Sequence, residues 1–416
     1  MLLSPGRVGG KMRQFQFLIM LCGLAVAVPA QADRVSEIGQ FAERLEADGE
    51  LTPETLGASS QAAAAMFEAA NAIDRRYQPL LGLPMATRKA SADVAVLTAA
   101  RDVLAAKYPR KAEMIREQFG FAIEQDRSDA AERAEGERLG AAAARLALTR
   151  ASLDPAVTLN QYRPLTSPGS YVSTTIPIFE PWYQGMRPWA LKTVDAVRPP
   201  PPPAIASERY ARDFNEVKSL GRADSKTRTP LQTMLAKYRN TPDLMPTIRQ
   251  VTDLPGRHLV DNARLLALLW MAEYDQRLAM ADAKMHYMFW RPLTAIRNAD
   301  QDNNPATARD PSWKPLLPVP NHPEYPCGHC GRAGAWAEIL KAEVGDRPEG
   351  GVIVQSISLP DAMMMRIDSF DQWVGEVNDS RTFAGLHYRF SNEAGAKLGR
   401  DAAREMLKLM RPLRAN

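Results

Sequence analysis

The amino-acid sequence predicts an all-α fold whose two helical halves are joined by a proline-rich stretch. From Asp33 to about Ala151 the chain is rich in Ala, Glu, Arg and Leu, which favour helices, and its apolar residues recur at helical spacing. Helical patterns return from Ser207 onward. There, Asp261 to Trp290 is apolar almost all round, which indicates a buried central helix. Between the halves, Pro199 to Pro203 is a five-proline run that cannot be helical.

Two helices of the first half have clear ends in the sequence. Residues 61–76 and 90–107 each carry an apolar stripe opposite charged residues, and Gln78-Pro79 and Tyr108-Pro109 provide stops. Such stripes are typical of core packing. We therefore interpret the first half as a helical scaffold.

The first 32 residues have the pattern of an export signal. Arg7, Lys11 and Arg13 form a basic region, Phe15 to Val28 is an apolar run, and Ala30-Gln31-Ala32 is a small-x-small cleavage site. A membrane anchor is the alternative, but the run is shorter than a comfortable membrane span. We expect cleavage after Ala32 and a periplasmic or secreted protein.

The mature chain is then expected to be one α-helical domain, residues 33–416. Residues 33–198 form its N-terminal helical half with proline-rich loops, and residues 206–416 form the half with the candidate site. Loss of the three cations of the leader lowers the formal net charge from +4 to +1, which gives no field for binding nucleic acid. The mature chain also lacks an uninterrupted apolar stretch of membrane-spanning length.

Three short stretches in the last third of the chain carry the residues of an oxyanion site. They are Lys284-Met-His-Tyr-Met-Phe-Trp-Arg291-Pro292, then Pro326-Cys327-Gly328-His329, then Ser380-Arg381 followed after five residues by His387. Arginine and lysine bind oxyanions through charge-assisted hydrogen bonds, and the N–H groups of a helix start add to them. Two imidazoles supply a nucleophile or ligand and a group that moves protons.

Helical geometry predicts where these side chains point. Lys284 and Arg291 are seven residues apart, about 20° on a helix, so we expect one helix face to present both. Arg381 and His387 would lie about 120° apart on an uninterrupted helix. We therefore predict that Arg381 lies in the turn entering a helix, with Ser380 near the cap.

Residues 298–326 contain seven prolines and no helical pattern. So long a loop is uncommon in a compact chain unless it is functional. We predict that it forms the wall and mouth of the site and delivers the Cys327-Gly328-His329 turn.

The pattern K-x6-RP, P-x-GH, SR-x5-H resembles the signature of the superfamily that joins type-2 phosphatidic-acid phosphatases, soluble bacterial acid phosphatases and vanadium-dependent haloperoxidases. Residues 66–74 and 214–221 also resemble stretches of the bacterial haloperoxidase-like branch. The resemblance implies two helical bundles packed into one globule. The chain departs from the family pattern twice: the family usually has Ser where this chain has Cys327, and often an Asp where this chain has Ser391.

The resemblance also implies roles for the motif residues. Oxyanion-binding residues would be Lys284, Arg291, Cys327, Gly328 and Arg381. In a phosphatase, His387 would attack phosphorus to give a phosphohistidine, and His329 would protonate the leaving oxygen and then activate water. In a haloperoxidase, His387 would instead bind the vanadium of a vanadate cofactor, and His329 would assist peroxide activation.

Some candidates remain open in the sequence. A carboxylate is expected to orient Arg381 or a histidine, and the candidates are Glu393, Asp224, Glu216 and Asp282. The histidines outside the motifs, at positions 258, 286 and 322, are expected to be structural. No zinc-binding spacing is present.

Cys327 and Cys330 decide between the two chemistries at this stage. In an oxidising compartment the pair is expected to form a local disulfide. Thiol redox catalysis is disfavoured because a proline-rich loop, and no strand, precedes the pair. A thiol is a weak donor, a disulfide sulfur donates nothing, and a sulfur beside the oxyanion would be oxidised readily by hypohalous acid, which disfavours a haloperoxidase.

The sequence therefore favours an exported phosphomonoester hydrolase that needs no cofactor and acts on a small soluble phosphomonoester. The alternative is a vanadate-dependent haloperoxidase with hydrogen peroxide and halide as substrates, and a further one is a non-catalytic oxyanion-binding protein. The natural substrate and the oligomeric state stay open.

Overall fold

The computed structural model describes residues 33–48, 52, 55–152, 162–174, 186–240, 242–243, 245–356 and 364–413. The predicted export signal, residues 1–32, lies outside these ranges. Residues 32–416 form one compact unit.

The described residues are mostly helical, which confirms the predicted all-α class. The helices are α1 (Arg34–Asp48), α2 (Ala58–Ile73), α3 (Ala92–Lys107), α4 (Ala112–Glu124), α5 (Ala130–Ser152), α6 (Glu208–Leu220), α7 (Pro230–Tyr238), α8 (Met245–Thr252), α9 (Leu259–Tyr287), α10 (Pro292–Arg297), α11 (Gly328–Val344), α12 (Phe370–Phe383) and α13 (Arg389–Met406). Short 3-10 helices cover Pro109–Lys111 and Ala299–Gln301. None of the helices in the described ranges combines the length and the apolar character that a membrane crossing requires.

A small antiparallel sheet, which the sequence analysis did not predict, accompanies the helices. Its strands are β1 (Pro242–Asp243), β2 (Val352–Ser356) and β3 (Met364–Ile367), in the order β1-β2-β3. Burial alternates along β2, as expected for a strand with one face against the core. The sheet anchors the chain just after α7.

Helix α9 is the predicted central helix, but it ends at Tyr287 and not at Trp290. Met288 adopts a left-handed conformation with φ 45°, and Arg291 is extended with φ −75° and ψ 153°. A residue that precedes proline avoids the helical region, so Pro292 forces Arg291 out of the helix. The prediction that one helix face presents both Lys284 and Arg291 is therefore wrong.

Helices α11 and α13 pack at very short range through glycines. A Cβ atom on Gly395 would lie 2.2 Å from the carbonyl oxygen of Cys327, and one on Gly399 would lie 1.9 Å from that of Gly331. Only glycine allows this approach. It places the start of α11, which carries His329, against α13, which begins two residues after His387.

The segment between Arg381 and His387 is a C-terminal cap and not a helix start. Gly385, with φ 79°, follows the end of α12, and its N–H donates to the carbonyl of Thr382, while the Leu386 N–H donates to that of Arg381. This is the Schellman pattern. Arg381 thus lies in the last turn of α12, and the prediction of a turn with Ser380 near an N-cap is wrong, because Ser380 lies within α12 and its hydroxyl donates to Val377.

Candidate oxyanion-binding site

Lys284 and Arg291 meet at the end of the proline-rich loop, although they leave different elements. The Lys284 ammonium donates to the carbonyls of Pro323 and Glu324 at 2.7 and 2.8 Å. The Arg291 guanidinium donates to the carbonyl of His322 at 2.9 Å and that of Leu386 at 3.0 Å. The loop that was predicted to form the wall of the site therefore holds both cations at its last residues.

The same guanidinium contacts two imidazoles. Its NH1 group lies 3.2 Å from Nε2 of His387, and its NH2 group lies 2.9 Å from Nδ1 of His322. Because a guanidinium can only donate, both ring nitrogens act as acceptors. His387 is therefore a neutral imidazole whose proton is on Nδ1.

The carboxylate of Glu324, on the proline-rich loop, accepts a hydrogen bond from the Nδ1–H group of His387. Oε1 of Glu324 lies 2.8 Å from Nδ1 of His387 and also accepts the N–H of Tyr388 at 3.1 Å. Glu324 and His387 are almost fully buried. The carboxylate fixes the ring so that the Nε2 lone pair faces the cations.

Burial and the cations set the protonation of this pair. Burial, with the charges of Arg291 and Lys284, holds the pKa of His387 well below its ordinary value. Burial raises the pKa of Glu324 to about 7, although Arg291 and Lys284 oppose the shift. A neutral His387 is what a metal or phosphorus centre requires of a nitrogen donor.

Arg381 and His329 lie on the other side of the site, and both contact Asn240. The guanidinium of Arg381 donates from NH1 to Oδ1 of Asn240 at 3.2 Å, and Nε2 of His329 lies 3.0 Å from the Asn240 backbone oxygen. The positive charge of Arg381, first, and the partial loss of water around the ring keep the pKa of His329 well below its ordinary value. The His329 side chain is exposed, so it faces the open side of the site.

None of the three buried cations forms an ion pair with a carboxylate of the described residues, although the charge of Glu324 acts on Lys284 and Arg291 from a greater distance. Lys284, Arg291 and Arg381 are each 1% exposed, and no carboxylate of the described residues lies within ion-pair distance of any of them. Burial, together with the charge of Arg291, lowers the pKa of Lys284 well below its usual value and that of Arg381 to about 9. Burial lowers the pKa of Arg291 to about 10. Such a cluster is costly unless an anion joins it.

Cys327 does not take the place of the family's serine as a donor. It is fully buried, it is the N-cap residue of α11, and its sulfur accepts the N–H of Cys330 at 3.2 Å. The sulfurs of Cys327 and Cys330 are joined in a disulfide. A disulfide sulfur has no hydrogen to donate, so Gly328 remains as the α11 N-terminal donor.

All four carboxylates proposed from the sequence are engaged elsewhere. Glu393 pairs with Arg209, Asp224 with Arg222, Glu216 with Arg389 and Asp282 with Arg198. The sequence analysis missed Glu324, and it assigned His322 a structural role, although His322 contacts Arg291. Glu324 lies three residues before the Cys327 motif, and this proximity was the signal that could have found it.

The residues present fit a tetrahedral oxyanion. Arg381 Nε is buried and has no hydrogen-bond partner among the described residues, and the NH1 group of Arg291 is directed at the Nε2 lone pair of His387. An anion placed there would receive charged donors from several directions and a nitrogen ligand from one. The donor set has the positive charge that vanadate or phosphate requires.

Comparisons with known proteins lead to one group. Residues 264–415 match the family model for the VCPO second helical-bundle domain. A vanadium-dependent bromoperoxidase from Ascophyllum nodosum is 34% identical over 125 residues, 26% of this chain. The match covers only 21% of that relative's length.

Two solved structures share the fold over nearly the whole chain. A bacterial vanadium-dependent iodoperoxidase superposes with a TM-score of 0.69 at 20% identity, covering 92% of this chain and 95% of the other. The holo form of a bacterial vanadium-dependent chloroperoxidase gives a TM-score of 0.68 at 15% identity, covering 91% and 96%. At these identities the likeness shows the fold.

Proposed function

Because the chain belongs to the superfamily that joins vanadium-dependent haloperoxidases and type-2 phosphatidic-acid phosphatases, we propose that it is a vanadate-dependent haloperoxidase that oxidises halide with hydrogen peroxide. The observation that carries the proposal is the cluster of three buried cations around the neutral imidazole of His387, none of which forms an ion pair with a carboxylate in the part of the chain that the structure describes. The relatives named above, all haloperoxidases, support this reading over the hydrolase that the sequence analysis preferred.

Each residue of the site has a distinct task in this proposal. Lys284, Arg291 and Arg381 would bind the oxygens of vanadate, the Gly328 N–H would add a donor, and Nε2 of His387 would be the ligand to vanadium. When bound, vanadate supplies a Lewis-acidic centre that activates hydrogen peroxide towards halide.

Two residues, Glu324 and His329, control the positions of protons in the site. Glu324 keeps the proton of His387 on Nδ1, so that Nε2 stays available as a ligand. His329, on the open side, would accept a proton from hydrogen peroxide and deliver it to the departing oxygen, which then leaves as water.

The burial of the Cys327–Cys330 disulfide weakens the sulfur argument for a hydrolase. That argument placed a sulfur, as thiol or disulfide, in contact with the oxyanion, where hypohalous acid would oxidise it. The Cys327 sulfur is buried and bonded to that of Cys330. Sulfur at this position is then compatible with peroxide chemistry.

The direct test is a halogenation assay on metal-free protein. We expect halogenation of monochlorodimedone only when orthovanadate, hydrogen peroxide and a halide are all present, with iodide, bromide and chloride tested separately. His387→Ala removes the ligand and should abolish both vanadate binding and turnover. His286→Ala, which changes an exposed histidine outside the site, should leave both intact. Vanadate binding without halogenation for any halide contradicts the proposal.

Phosphomonoester hydrolysis is the second candidate, and the orientation of His387 is the observation that favours it. A neutral imidazole with Nδ1 held by a carboxylate and Nε2 facing cations is also suited to in-line attack on phosphorus. Release of phosphate from an aryl phosphate without vanadate, blocked by vanadate and lost in His387→Ala, would establish it. Tight binding of oxyanions with neither activity would leave a binding protein.

We also propose that the protein is exported and acts on small molecules outside the cytoplasm. The leader pattern of residues 1–32 and the nearly neutral mature chain support this. Amino-terminal sequencing of the protein recovered from the periplasm or medium should begin at Asp33.

A further inference from the structure

Asn240 touches two groups of the site with two different atoms. Its backbone oxygen lies 3.0 Å from Nε2 of His329, and its side-chain Oδ1 accepts from Arg381 at 3.2 Å. It follows α7, and β1 begins two residues later at Pro242. The hydrogen bonds of β1 to β2 therefore fix the position of this short segment beside the site.

The backbone contact determines which nitrogen of His329 is basic. A carbonyl oxygen only accepts, so Nε2 must carry the proton. The neutral ring then has its lone pair on Nδ1. The basic atom of His329 is Nδ1 as long as Asn240 stays in place.

The side-chain contact orients Arg381 without removing its charge. The Arg381 guanidinium is buried, and its NH1 group donates a hydrogen bond to the amide oxygen of Asn240. A carboxylate at this position would hold the guanidinium equally well but would also offset its charge. The neutral amide leaves the full positive charge for the oxyanion.

We propose that Asn240 is a positioning residue with two roles. Its backbone oxygen holds the His329 proton on Nε2. Its amide oxygen orients Arg381 towards the oxyanion without neutralising the charge of the guanidinium. The second part rests on the proposed function, because it requires that an oxyanion binds. The first part concerns the free protein.

The test of the side chain is Asn240→Asp in the full-length protein, with vanadate affinity measured by equilibrium titration. The substitution keeps the size and the acceptor but adds a charge next to Arg381. Given the strength of charge interactions over several ångströms in a partly buried site, we expect affinity to fall on the order of 10-fold. Lys237→Gln is the matched control, because it changes the net charge by the same amount at an exposed side chain of α7 and should leave affinity unchanged.

Asn240→Ala completes the set, since it removes the amide oxygen and keeps the backbone oxygen. We expect weaker vanadate binding than in the wild type. Wild-type affinity in either the Asp or the Ala variant overturns the role of the side chain. If the wild type binds neither vanadate nor phosphate, the proposed function fails instead.

The backbone contact is tested on the wild type, with no substitution at Asn240. In ¹⁵N spectra of histidine-labelled protein, with the His329 signals assigned by their loss in His329→Gln, we expect a protonated Nε2 and an unprotonated Nδ1. We expect the same tautomer in Asn240→Ala, because this variant keeps the backbone oxygen. A proton on Nδ1 of His329 in the wild type overturns this part of the proposal.

Discussion

At the scale of single residues, the partner of His387 comes from an unexpected part of the chain. The family often has an Asp four residues after this histidine, where this chain has Ser391. Glu324 supplies the carboxylate from the proline-rich loop, 2.8 Å from Nδ1 of His387. A buried imidazole that serves as a ligand needs a hydrogen-bond acceptor for its second nitrogen. In this chain a different residue provides that acceptor.

Glu324→Gln should weaken vanadate binding about 10- to 100-fold, the range typical when the partner of a metal-binding histidine is removed. The amide keeps the shape but loses the charge that holds the His387 proton on Nδ1. Equilibrium titration with vanadate measures the effect. The variant also leaves the buried cations without their nearest negative charge, so its unfolding should be followed in parallel.

Glu393→Gln is the control for that substitution. Glu393 is exposed and pairs with Arg209 at the surface. Its substitution should leave vanadate affinity unchanged. If Glu324→Gln behaves in the same way as this control, Glu324 has no part in holding His387.

The sequence predicted the types of site residue better than their positions in space. The resemblance of three motifs to the superfamily signature identified Lys284, Arg291, His329, Arg381 and His387 as site residues. It could not identify Asn240, since a backbone oxygen carries no sequence signal.

At the scale of elements, the predictions were wrong at the two places where the chain leaves a helix inside the site. The calculated angle between Lys284 and Arg291 assumed one helix, but α9 ends at Tyr287, where Met288 becomes left-handed, and Pro292 keeps Arg291 extended. The calculated angle between Arg381 and His387 correctly predicted a break between them, but Gly385 makes this break the end of α12 and not the turn that enters a helix. The short segments that end these two helices therefore determine the geometry of the site.

Gly385→Ala should therefore affect both stability and the site. The left-handed conformation costs a non-glycine residue about 1–2 kcal/mol, and the new Cβ would lie 2.5 Å from the carbonyl oxygen of Gly221. We expect the free energy of unfolding, measured in urea, to fall by more than about 2 kcal/mol. Vanadate affinity should fall as well, because this turn sets the position of His387 relative to Arg381.

Gly375→Ala is the matched control in the same helix, α12. A Cβ atom there meets nothing within 4 Å, and the residue lies in the helix interior. We expect it to stabilise the protein by about 0.5–1 kcal/mol, since alanine favours helices over glycine. Equal stability of the two variants would mean that the cap at Gly385 is unimportant.

A second element contact joins the N-terminal half to the central helix. The buried carboxylate of Asp275 on α9 accepts the backbone N–H groups of Trp189, Ala190 and Leu191 at 2.6, 2.8 and 3.1 Å. Asp275→Asn replaces one acceptor oxygen by a donor and leaves an N–H unpaired. We expect a loss of about 1–3 kcal/mol in the free energy of unfolding. Asp300→Asn, at an exposed side chain, should change it little; a similar loss there would point to a nonspecific effect.

At the scale of the whole molecule, the fold concentrates positive charge in its interior while the mature chain as a whole is nearly neutral. Lys284, Arg291 and Arg381 all have lowered pKa values, so their charged forms are held at a cost in stability. The cost is present below the folded pKa, about 9 for Arg381, and is relieved as pH rises from there towards the higher value of the unfolded chain. An oxyanion should offset the same cost at lower pH.

Phosphate should therefore stabilise the protein against unfolding more than chloride does at equal ionic strength. At a concentration 100 times its dissociation constant, the gain in the free energy of unfolding is about 2.7 kcal/mol, and it should be observed below about pH 9, where Arg381 is charged. Arg381→Gln should reduce the gain, because it removes one of the three cations. Arg209→Gln, at an arginine that is 52% exposed, should preserve it. If phosphate stabilises all three proteins equally, the effect is general salt exclusion and the buried cations do not form a common anion site.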